Sequence, residues 1–145
     1  ITFADRYSIC LINACKYLKE TDQEKIALYF YNDTFLFDQN ACTAPHLVIW
    51  LGSEKIVKSA KEMFWAKLHQ LVKLKYKLQS IVSVDKLTSL YKQAIDSKGI
   101  RKVNSCDNLI WRIELEDLNK NIDEFRCTNG YFSEYNAKTT NIWIP

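Results

Sequence analysis

Apolar and polar positions change period along the chain, and each change marks a predicted element. Over 6–12 they alternate, with Tyr7, Ile9 and Leu11 on one face and Cys10 and Ile12 on the other, the two-residue period of a strand. Thr21-Asp22-Gln23-Glu24 has the form of a capping box, in which Thr21 and Glu24 exchange side-chain bonds with open backbone N–H groups. A helix is therefore predicted from Asp22 through Ile26, Ala27 and Phe30. The run 46–51, His-Leu-Val-Ile-Trp-Leu, has strand length and ends at Gly52. Behind it, Ile56, Val57, Ala60, Met63, Phe64, Leu68, Leu71 and Val72 recur at three- and four-residue intervals. That spacing predicts the longest helix, with Ser53 as N-cap, Glu54 at its positive end and the stripe as a core face.

Ser83 opens a second stripe of Val84, Leu87, Leu90, Tyr91, Ala94 and Ile95, with Gly99 as its stop. Positions 109–115 then alternate again, 130–135 form another candidate strand, and the polar stretch 116–124 reads as a loop or short helical turn. The lysine-rich run 73–77 reads as a solvated helix end, where cations suit the dipole. Strands alternating with helices predict an α/β fold, a mostly parallel sheet flanked by helices.

The chain's 145 residues are one domain's worth, enough to bury a core. A net charge of +3, from 20 basic and 17 acidic residues, is too balanced for a nucleic-acid footprint. No stretch approaches the roughly 20 apolar residues of a membrane span. Cys10, Cys15, Cys42, Cys106 and Cys127 are odd in number and irregular in spacing, which argues against a disulfide framework or zinc site and for the reducing cytoplasm. Because the chain opens at Ile1 without a methionine, it is expected to be a piece of something longer.

Chemistry concentrates in the segment 35–46, Phe-Leu-Phe-Asp-Gln-Asn-Ala-Cys-Thr-Ala-Pro-His. A thiol between small residues, at a helix-to-strand corner, can sit at a site mouth with its own N–H facing a developing oxyanion. An isolated cysteine also serves as core filler. His46 is the nearest imidazole in sequence and a candidate for proton transfer; the simpler role is a structural hydrogen bond at a strand start. Asp38, Gln39 and Asn40 are of the types that order turns through side-chain to backbone bonds, and Asn40 is a second candidate to orient a carbonyl. There is no Gly-x-Gly-x-x-Gly, and three glycines hardly build a dinucleotide-binding turn.

Asp38, Gln39, Ala41, Cys42 and Pro45, within 36–46, resemble the active-site segment of the bacterial acyl-CoA reductases that supply aldehyde for bioluminescence, relatives of the aldehyde dehydrogenase superfamily. Segments 5–12 and 130–135 resemble strands of the same enzymes more loosely. The resemblance implies the catalytic domain of that fold over 1–145, with Cys42 accepting a long-chain acyl group from acyl-CoA or another acyl donor. It implies NADPH as reductant, bound mainly by a domain outside this chain, an acyl-protein synthetase as partner and a homo-oligomeric state. The alternatives are a noncatalytic interaction module with Cys42 in the core, and a cysteine-dependent acyltransferase or thioesterase with a base close to Cys42.

Overall fold

The computed structural model describes residues 7–96, 99–118 and 122–138. The elements run β1 (Ser8–Asn13), α1 (Ala14–Lys19), α2 (Gln23–Thr34), a 3-10 turn (Phe35–Phe37), β2 (Pro45–Leu51), α3 (Glu54–Lys75) and α4 (Ser80–Asp96). They continue with β3 (Ile100–Cys106), β4 (Ile110–Leu115), a second 3-10 turn (Ile122–Phe125) and β5 (Tyr131–Ala137). Five strands form one sheet in the order β1-β2-β5-β4-β3. All neighbours are parallel except β3 and β4. The predicted α/β fold with a mostly parallel sheet is the observed one.

Burial explains why β2 reads as an unbroken apolar run. It lies between β1 and β5 with every residue buried, and a central parallel strand must be apolar on both faces. Val48 and Trp50 meet Phe30, Phe64 and Trp65 from α2 and α3 on one face. Leu47, Ile49 and Leu51 join Trp111, Ile113 and Tyr131 on the other. Phe64, fully buried, stands edge-on to Tyr17, Phe30, Trp50 and Trp65 at centroid distances of 5.0–5.7 Å. Such edge contacts add to the roughly 1.5–3 kcal/mol of burying the ring.

One carboxylate sits inside this aromatic layer. Glu134 of β5 is fully buried and its Oε1 accepts from the indole N–H groups of Trp50 at 2.9 Å and Trp65 at 2.7 Å. Lys61 of α3 lies 3.7 Å from its Oε2 and 3.3 Å from Glu114 of β4. A buried charge persists only with such partners. Here they tie α3 to β2, β4 and β5.

Several boundaries depart from the periodicity. Residue Arg6 lies outside the described residues, and β1 begins at Ser8. The α2 cap is Asp22, whose side chain accepts from the Lys25 N–H, rather than Thr21. Ser53 occupies the α3 N-cap with no side-chain bond. Met63, placed in the core stripe, is 40 % exposed, whereas Lys61 and Trp65 are buried. The helix α1 and strand β3 were not predicted; β3 is a polar edge strand that, among the described residues, pairs with β4 alone. Its hairpin with β4 turns through Asp107 and Asn108 at φ 51° and 57°, the left-handed pair of a type I′ turn. Residues 119–121 of the predicted loop lie outside the described residues.

The largest correction concerns α4. It runs from Ser80 to Asp96, so Ser83 lies within the helix and the last helical residue falls three before Gly99. Most of the predicted stripe (Val84, Leu87, Tyr91, Ala94 and Ile95) faces outward while Leu90 packs against the core, and the buried side chains are Lys86 and Gln93. Lys86 Nζ donates to the carbonyls of Asn108 at 2.7 Å and Leu109 at 3.2 Å, and the Tyr131 hydroxyl donates to Gln93 at 2.7 Å. Those bonds to the β3–β4 turn and β5 outweigh the apolar stripe in setting the helix's rotation.

Burial pushes the Lys86 pKa down from 10.5 to about 8, with Cys127 opposing. Between those values the unfolded chain binds the extra proton, so this residue's contribution to stability rises with pH from 8 to 10.5. The stability of the wild type relative to Lys86→Met is therefore expected to increase across that window in urea titrations. A flat difference would show that Lys86 is not held in a desolvated state.

Candidate functional site

The segment 35–46 leaves α2 through a tight 3-10 turn and enters β2. Phe35 is buried against Tyr31, Tyr76 and Phe132, while Leu36 and Phe37 are 59 % and 68 % exposed. Asp38 and Gln39 both take left-handed backbone, φ 53° and 63°, unusual for two successive non-glycine residues. Side-chain bonds hold them there. Asp38 accepts from the Tyr76 hydroxyl at the end of α3, which in turn accepts from Asn129 Nδ2 at 2.7 Å. The Asp38 carbonyl accepts from the Asn129 N–H at 3.0 Å. Burial, then the bond to Asp38, pushes the Tyr76 pKa up to about 12, so the hydroxyl keeps its proton for that bond.

Gln39 is the centre of the turn. Its side chain is buried, with Nε2 donating to the carbonyls of Pro45 at 2.9 Å and Tyr131 at 3.0 Å. Its Oε1 accepts from the N–H groups of Gly130 at 3.0 Å and Tyr131 at 3.2 Å. One carboxamide thus joins the first residue of β2 to the first residue of β5. Gly130 sits at φ 88°, and a Cβ there would collide with the Leu109 carbonyl and approach the Phe35 ring to 2.9 Å. Only glycine lets the β5 entry reach Gln39.

Cys42 follows on the outer side of this clamp. Its thiol is exposed and its carbonyl accepts from Ser8 Oγ at 2.8 Å, which anchors the turn to β1. Among the described residues, no acceptor engages the N–H of Cys42 or Thr43. The thiol therefore sits beside an open backbone donor, with the exposed Leu36 and Phe37 on the same loop. Asn40, also exposed, directs Nδ2 at the carbonyls of Phe37 at 3.3 Å and Asp38 at 3.2 Å, so the amide shapes the turn.

His46 is nearly buried and stacks on Tyr7 at 5.8 Å. Its Nδ1 lies 3.2 Å from the Cys127 carbonyl, which makes that nitrogen the donor. Burial lowers its pKa despite that carbonyl, so the ring is neutral at pH 7. No hydrogen bond joins it to Cys42 among the described residues. The structure brings Gln39, Asn40 and Cys42 onto one turn and directs His46 to the neighbouring 127–130 loop. Cys10 is a contrasting thiol: half-buried on β1, with its pKa pushed up to about 11 by burial and then by Asp33.

Residues missed by the sequence reading are Tyr76, Asn129 and Gly130, which hold the turn from 38 or more positions away, and the polar row at the carboxyl ends of β4 and β5. There Arg112, Glu114, Glu134 and Asn136 line a cleft of about 230 Å³ beside α3. Polar residues at alternate positions of 110–115 were the only hint of it.

No protein-family model matches the chain, and no curated protein matches it. Among solved structures it is similar to an NAD-dependent benzaldehyde dehydrogenase from Corynebacterium glutamicum, at 10% identity and a TM-score of 0.48. The match covers 92% of this chain and 30% of that one, so the chain spans less than a third of that enzyme. A likeness this distant does not bear on substrate or mechanism. What fold and turn define is an α/β domain that presents an exposed cysteine at the amino end of a central parallel strand.

Gln39→Ala would leave four buried backbone groups without this partner, at about 1–3 kcal/mol for each that stays unpaired. The expected loss is about 3–5 kcal/mol in equilibrium denaturation. Gln39→Glu should recover little of it, because the two carbonyls need the amide donor. Wild-type stability for either variant would remove the clamp from the account of this turn.

Proposed function

We propose that this chain is the catalytic domain of an oxidoreductase of the aldehyde dehydrogenase type, a long-chain fatty acyl-CoA reductase, with Cys42 as its nucleophile. The observation that carries the reading is an exposed thiol next to an unengaged backbone N–H on a rigid turn. An oxyanion hole needs a donor already aimed where charge develops, and the Gln39 clamp fixes that donor before substrate arrives. Leu36 and Phe37 offer apolar surface to an acyl chain at the same turn.

In this mechanism the Cys42 thiolate attacks the thioester carbonyl of acyl-CoA. The tetrahedral oxyanion faces the Cys42 N–H and collapses with departure of the coenzyme A thiolate, leaving an acyl-cysteine thioester. The chain's glycines, at 52, 99 and 130, are too scattered to build a Gly-rich dinucleotide turn. NADPH belongs to a domain outside this chain, and the reductive release of aldehyde belongs to the two together. A thioesterase reading needs a base beside the thiol, and His46 is instead bonded to the Cys127 carbonyl. Exchange of acyl groups with an acyl-protein synthetase and a cytoplasmic setting fit the same reading.

Incubation with a long-chain acyl-CoA should release free coenzyme A thiol and leave one hydroxylamine-sensitive acyl group on Cys42, found by mass spectrometry. Cys42→Ser should abolish both, and added NADPH should yield no aldehyde from this chain alone. Acylation undiminished in Cys42→Ser, or equal labelling of Cys15 and Cys106, would overturn the assignment. Aldehyde formation by the chain unaided would overturn the separate location of the cofactor.

A further inference from the structure

The outward face of α4 carries a second message, independent of Cys42. Ile81, Val84, Tyr91 and Ile95 are 61, 56, 59 and 80 % exposed. With Thr88 they form a series spaced three, four, three and four residues apart, the a/d seam of a helix that packs against another helix. The opposite face is bonded to the body through Lys86 and Gln93, so the helix cannot roll the seam inward without breaking those bonds. Thr88 is no obstacle in the seam, since its hydroxyl is satisfied by the Val84 carbonyl at 2.9 Å.

We propose that this seam is a homodimer interface in which α4 pairs antiparallel with α4 of a second copy. The charges specify the partner and its direction. Asp85 and Lys92, both exposed, sit one heptad apart on the same edge of the seam. A two-fold axis across the helices maps that edge onto itself in reverse, so the Asp85 end of one copy meets the Lys92 end of the other, twice. A parallel pair would set this edge against Leu87 and Ala94 instead. The acidic Asp85 and Asp96 beside a single exposed lysine also disfavour an anionic lipid surface. A helix of 17 residues offers a seam of about 25 Å. That is a small interface, and its dimer should dissociate in the micromolar range.

The test is sedimentation of the full chain across a concentration series. The parent is expected to show a reversible monomer–dimer equilibrium. Asp85→Lys should weaken it roughly tenfold, the equivalent of about 1.4 kcal/mol over two like-charge contacts. Lys92→Asp should do the same, and the double exchange should restore parental affinity. Tyr91→Glu should leave a folded monomer, with circular dichroism confirming the fold in every variant. A parent monomeric at high micromolar concentration, or a double exchange as weak as the singles, would overturn the proposal. Protection of the seam in a monomer, read by hydrogen exchange, would instead assign the face to another segment of the polypeptide, which also overturns it.

Discussion

The carboxamide of Gln39 is the contact on which both the sheet and the turn depend. β2 and β5 are central neighbours in the sheet yet lie more than 80 residues apart in the chain. Their amino ends are joined by one side chain that donates to a carbonyl of each and accepts two N–H groups from the β5 entry. Four bonds to a buried group leave little freedom in the backbone that carries it. That rigidity explains how two successive non-glycine residues remain left-handed, a conformation that persists only where its surroundings impose it. Cys42 inherits its position from this arrangement three residues earlier.

A second polar group organises the middle of the strands. Glu134 sits among Trp50, Trp65 and Phe132 and is compensated by two indole donors and Lys61. An apolar residue there would pack the layer without specifying the rotamers of two tryptophans. The carboxylate does specify them, and it places Lys61, Glu114 and Asn136 in a polar cleft at the carboxyl ends of the strands. The protein therefore carries one polar anchor at the amino ends of its central strands and a second at their middle. Gln39 shapes the exposed turn, and Glu134 registers α3 on the sheet.

Legibility in the sequence followed the range of the forces involved. The α3 helix and the buried strand β2 were readable because local period and burial agree in them. The polar edge strand β3 was not, since its pairing with β4 is its main reason to be extended. The capping box at Thr21 gave way to Asp22, one residue later, where a carboxylate makes the same bond. In α4 the period was legible but not the orientation: two long-range hydrogen-bonding residues, Lys86 and Gln93, decide which side faces the body.

The chain by itself determined the α/β class, the order helix–turn–cysteine–strand, and the presence of turn-forming side chains around the thiol. These are properties of neighbouring residues and of their hydrophobic period, and they survive without knowledge of any distant contact. Tertiary structure alone decided that the cysteine is exposed, that Gln39 is a clamp, that His46 turns to the Cys127 carbonyl, and that α4 shows its apolar seam to solvent. Each of those outcomes depends on hydrogen-bond partners tens of residues away, and the local pattern of a chain holds no record of where such partners will be.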